Sequence, residues 1–193
     1  DSLTTIGEGA LDGLTGLKKL VIKCDPALIP AGVFANMPNL SEVTIESGAV
    51  PAHMFAGSGV KALTLGAGVT EIGGSAFADT LLSAADLKHV TAIGAGAFAN
   101  TALTSVELTQ AAAIGEGAFE GSALESVRLS ASASVGERAF ANTKLKQLVI
   151  PTAGSFPLSA VEGTSAELRL PADATDAQLA AWNETLERPW YDP

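Results

Sequence analysis

The residues able to do chemistry are few in this chain of 193, and they are scattered along it. A metal centre needs several His, Cys or carboxylate ligands at close spacing. His53, His89 and the single cysteine, Cys24, each stand without such a neighbour. Serines and threonines abound, but a nucleophile needs a base within hydrogen-bond reach, and no Gly-x-Ser-x-Gly elbow accompanies either histidine. Gly66-x-Gly68, Gly94-x-Gly96 and Gly115-x-Gly117 look like phosphate-cradling loops. A dinucleotide site also requires a third glycine and a long following helix, and no Gly-Lys-Ser/Thr is present for a P-loop. Paired carboxylates for glycoside hydrolysis would have to face each other across a cleft. The expectation is a non-enzyme with no catalytic residue, no cofactor and no metal, in which Cys24 is a small buried or half-buried hydrophobe.

Charge and hydropathy narrow the partners. Acidic residues outnumber basic ones 21 to 11, for a net charge of -10, so a phosphate backbone would be repelled and nucleic acid is not an expected partner. The apolar residues make up 47% of the chain but are dispersed, and no run approaches the roughly 18 to 20 needed to span a membrane.

The same glycines and serines belong to a repeat. Phe34, Phe55, Phe77, Phe98, Phe119 and Phe140 follow one another at intervals of 21, 22, 21, 21 and 21 residues. The unit reads Ile-Gly-x-x-Ala-Phe, five steps to Leu, then x-x-Val-x-Leu, as in Ile93-Gly94-Ala95-Gly96-Ala97-Phe98 with Leu103, Val106 and Leu108. Eight copies begin at Ile6, Ile29, Val50, Ile72, Ile93, Ile114, Val135 and, in degenerate form, Phe156.

The Val-x-Leu pair alternates with period two, so each coil is expected to contribute one short strand with both apolar side chains inward. The Ile-Gly-x-x-Ala-Phe arm has spacings of four and five, which fit a bend into a short helical or 3-10 segment. Its glycine is expected to supply unusual backbone angles. The fold class is therefore an α/β-type solenoid, right-handed, of about eight coils of 21 to 23 residues. It should carry a parallel sheet on one face and short turns on the other. The array is expected over residues 1–172. Residues 173–193 are expected to form a C-terminal cap, with an amphipathic helix opening at Thr175 or Asp176 and turning Leu179, Trp182 and Leu186 to one side. No capping helix precedes the first coil, so further sequence is expected upstream.

This phrase and its period resemble the BspA-type (Treponema pallidum-type) leucine-rich repeats over about residues 3 to 172. The resemblance implies a secreted or cell-surface protein of host-associated bacteria, in a family linked to adhesion and protein binding. It offers no catalytic motif to transfer.

A partner, protein or glycan, would be read by the position between Val and Leu, which stacking lines into a ladder: Val21, Thr44, Thr64, Asp86, Glu107, Arg128, Val149 and Arg169. The residues from Thr64 to Arg169 are the expected binding face. The plainer expectation is a solvated face on which Glu107 and Arg128 pair with each other. The competing function is a structural spacer within a larger surface protein.

Overall fold

The computed structural model describes residues 11, 14–150 and 156–169. Ile6 of the first expected coil, the expected cap helix, and Trp182, Trp190 and Tyr191 lie outside the described residues. Among the described residues eleven short strands follow in order: β1 (Lys19–Ile22), β2 (Glu42–Ser47), β3 (Ala62–Gly68), β4 (Glu71–Ile72), β5 (Ala92–Ile93), β6 (Ser105–Leu108), β7 (Ala113–Ile114), β8 (Ser126–Leu129), β9 (Ser134–Val135), β10 (Gln147–Val149) and β11 (Glu167–Arg169). All pairings are parallel, between one coil and the next, so the chain is a parallel-sheet solenoid of about seven turns.

Two strips of sheet run along the array. The front strip carries the Val-x-Leu strands in three segments, β1-β2-β3, β6-β8 and β10-β11. The side strip, β4-β5-β7-β9, is made of two-residue strands, each ending on the Ile or Val that opens the repeat. Alternation sets the front strands: in β6, Ser105 and Glu107 are exposed while Val106 and Leu108 are buried.

The Phe arm departs from the helical expectation. Among the described residues only Pro26–Leu28 and Leu158–Val161 form 3-10 turns. Elsewhere the arm is a pair of stacked turns whose N–H groups donate forward to the next coil. Phe55, Phe77, Phe98, Phe119 and Phe140 each bond the carbonyl of the alanine preceding the next coil's counterpart, at 2.7–2.8 Å. A 3-10 segment would consume these donors within the coil, so inter-coil bonding wins.

The turns need a left-handed residue two places before and two places after each Phe. Those positions hold Gly96 (φ 62) and Asn100 (φ 56) around Phe98, and Arg138 (φ 56) and Asn142 (φ 56) around Phe140. Gly and Asn suit this region, whereas Arg138 is strained there. The glycines after Ile play another part. A Cβ on Gly73, Gly94, Gly115 or Gly136 would lie 2.5–2.6 Å from a backbone nitrogen of the preceding coil, so close approach, not a positive φ, selects them.

The six phenylalanines form one internal column. Successive rings lie 5.2–5.7 Å apart, centroid to centroid, with planes within 7–11° of parallel, the offset geometry aromatic pairs favour. Three residues after Phe55, Phe77, Phe98 and Phe140 a buried Ser or Thr closes the turn. The hydroxyls of Ser58, Thr80, Thr101 and Thr143 donate to the Phe carbonyl at 2.6–2.9 Å. The degenerate last coil keeps register: Val161 is buried in the Phe slot, and Phe140 N–H reaches the Ala160 carbonyl.

Candidate functional site

The outward ladder forms on the front strip as the period requires, with one exception. Thr64, Glu107, Arg128, Val149 and Arg169 sit exposed on β3, β6, β8, β10 and β11. Glu107 faces Arg128 and Val149 faces Arg169 in register. Asp86 is exposed too, but it belongs to no strand.

Of the two gaps in the front strip, one lies between β8 and β10, and the other is the front of the fourth coil, which has no strand. Its strand sequence is Ser83-Ala84-Ala85-Asp86-Leu87 where the next coil has Thr104-Ser105-Val106-Glu107-Leu108. Ala and Asp are poor strand formers, and Ala85 fills less space than the Val it replaces. Leu82 and Leu87 still anchor in the core. Among the described residues no backbone hydrogen bond joins residues 82–88 to either neighbouring coil. The Lys88 N–H is met instead by the Asp86 side chain at 3.2 Å, a local turn that competes with a ladder.

A groove of about 700 Å³ opens over this gap, lined by Leu63, residues 84–88, 105–107 and 126–128. The small residues Ala84, Ala85, Ser105 and Ser126 are among its lining, together with the charged Asp86, Lys88, Glu107 and Arg128. The expected Glu107–Arg128 pair does not form. Lys88 lies instead between the carboxylates, 3.9 Å from Asp86 and 4.0 Å from Glu107. Arg128 makes no hydrogen bond or ion pair among the described residues.

The rest of the ladder is more self-contained. Lys19 pairs with Glu42 at 3.2 Å and Lys23 with Glu46 at 3.7 Å. With its oxygen turned toward Arg169, the Gln147 amide accepts from that guanidinium at 2.8 and 3.1 Å. Lys146 donates to Glu125 at 2.5 Å, and this hydrogen bond holds the Glu125 carboxyl below its ordinary range.

The turn side carries a second charged cluster. Arg138 bonds Glu120 and Glu162 at 2.5 Å each, bridging three coils. The bond from Arg138 lowers the Glu120 carboxyl despite some desolvation, and Glu120 in turn raises the Arg138 guanidinium. A hollow of about 400 Å³ beside it is lined by Ser75, Asn100, Glu116 and Glu120 among others.

His53 is an exposed turn residue with φ 57, and His89 is exposed in the following coil. Among the described residues no three His, Cys, Asp or Glu side chains gather where they could hold a metal ion. Cys24 is half-buried against the core. Lys88 and the missing strand escaped the sequence reading, although the Ala-Ala-Asp triplet at the strand position was a visible signal.

Among the described residues no helix is long and apolar enough to cross a membrane. A search of curated proteins found no match, and neither did a search of solved structures. The BspA type leucine rich repeat region, in six copies, matches residues 1–82 and 48–164, which together take in every Phe of the column, the side strip and the front strip up to β10. The chain therefore belongs to the family of BspA-type leucine-rich repeat proteins.

Proposed function

We propose that this chain is a non-catalytic recognition module, displayed at the cell surface or secreted, that binds a protein partner through its front sheet face. The observation that carries this reading is the groove over the fourth coil, where charged side chains meet small ones and the cation Arg128 is left unengaged. Solenoids offer an extended surface of this kind, and the repeat family is generally non-catalytic. The family is often surface-associated, which supports the location.

The spacer alternative draws on the first coils, where Lys19–Glu42 and Lys23–Glu46 satisfy one another and leave little to engage a ligand. One experiment separates the two. Thr64, Asp86, Glu107, Arg128, Val149 and Arg169 are replaced together by Ser, all being exposed, and binding to a panel of purified host matrix proteins is measured. The recognition reading expects binding by the native chain that the folded variant loses. Binding that survives in the variant, or none by the native chain, contradicts it.

A further inference from the structure

We propose that the groove over the fourth coil takes an extended peptide segment of a partner protein carrying a basic and an acidic residue two positions apart. The basic side chain takes the place of the loosely held Lys88 between Asp86 and Glu107, and the acidic one seats on Arg128. The inference rests on the reading of the front face as a binding surface and specifies its ligand.

Charge complementarity is the first argument. Lys88 is 3.9 and 4.0 Å from the two carboxylates, too far to hydrogen-bond either, and Asp86, Glu107 and Lys88 together keep one net negative charge. Arg128, next along the ladder, is a full positive charge with no partner among the described residues. A face with an acidic end and a basic end selects a ligand with both signs and disfavours a uniformly charged one.

Spacing turns this into a sequence motif. Adjacent coils are separated by about 4.8 Å, so the point midway between Asp86 and Glu107 lies roughly 7 Å from Arg128 along the array. Residues i and i+2 of an extended chain are about 6.7 Å apart and point to the same side. A neighbouring Lys-Glu pair would point to opposite sides, and a helix would not match the span.

The main chain favours a peptide over a sugar. Backbone groups of residues 82–88 bond neither adjacent coil, so the amides of an extended chain meet free main-chain partners where it crosses this segment. Ala84, Ser105 and Ser126 leave room for it, and no aromatic side chain lines the groove for a sugar ring to stack on.

The test is a titration of the isotope-labelled full chain, followed by amide chemical shifts, with capped heptapeptides Thr-Thr-Lys-Thr-Glu-Thr-Thr, its Gln-Thr-Gln counterpart and its Lys-Thr-Lys counterpart. The expected result is a set of shifts confined to residues 84–88, 105–107 and 126–128 with the Lys-Thr-Glu peptide, and binding about tenfold weaker for the neutral one. Arg128→Glu, an exposed change that leaves the fold intact, should reverse the preference toward Lys-Thr-Lys. Equal binding of all three peptides, or shifts elsewhere, overturns the proposal. So does an Arg128→Glu variant without the reversal, or a sulfated oligosaccharide that binds the groove more tightly than the Lys-Thr-Glu peptide. If the peptides fail while matrix-protein binding is still lost in the six-Ser variant, the groove inference falls and the recognition reading stands.

Discussion

The fourth coil is held in opposite ways on its two sides. On the turn side it is stitched at every alternate residue: His53, Phe55 and Gly57 donate into it, and Ser75, Phe77 and Asp79 donate onward, all at 2.8–2.9 Å. On the front side residues 82–88 have no backbone hydrogen bond to either neighbour, and Leu82 and Leu87, with the half-buried Ala85, tie them to the core. In a stack where each coil touches only the next, stability sums over local interfaces, so one coil can be rigid at its spine and open at its face. The spine sets the geometry, and the face is then free to vary.

The largest test of that contrast is to remove one ring of the column. Phe98→Ala should cost about 3–5 kcal/mol in denaturant unfolding, since the ring is fully buried between two others. Asp86→Ala, in the open segment, should stay within about 0.5 kcal/mol. Equal costs would erase the distinction. A smaller loss, about 1–3 kcal/mol, is expected for Gly115→Ala, because the new Cβ would lie 2.6 Å from Ala95 N and force the coils apart.

Most of the spine was legible in the sequence, because a strict period leaves a Phe or a Leu nowhere else to go. The outward ladder was legible for the same reason, and its registers at Glu107–Arg128 and Val149–Arg169 follow from the count alone. Three features were not. The turns were expected as short helical or 3-10 segments, and among the described residues only two 3-10 turns form, because the spacing of Ile93 and Phe98 cannot reveal that the Phe98 N–H bonds the next coil. The role of Gly94 was misassigned because close approach of a neighbouring coil depends on atoms 21 residues away in sequence. The break at coil four and the Lys88 contacts depend on how weakly Ala84 and Ala85 favour a strand, a preference that only tertiary context decides.

Closing the gap sharpens the comparison from the other side. Ala84→Thr with Ala85→Val gives this coil stronger strand formers, the second being the residue of the next coil at that position, and should stabilise the chain by up to about 1 kcal/mol while filling the groove. The measurement is a thermal midpoint alongside loss of peptide binding. A destabilised variant would mean that the backbone, not composition, keeps the coil open.

The smallest effect concerns the turn-side staple. The Glu120 carboxyl is lowered below its ordinary 4.5 by the hydrogen bond from Arg138, so its contribution is present above that value and lost as pH falls through the lowered one. Glu120→Gln should therefore reduce the unfolding midpoint slightly at neutral pH, and the difference should vanish in acid. A difference that persists unchanged at acid pH would remove the ion pair as its cause.

The central claim is that one coil is closed at its spine and open at its face, and native-state hydrogen exchange addresses it most directly. The account predicts that the amides of Phe77 and Asp79 exchange only near the global unfolding limit, while those of residues 82–87 exchange orders of magnitude faster. Protection of residues 82–87 equal to that of Phe77 would contradict it.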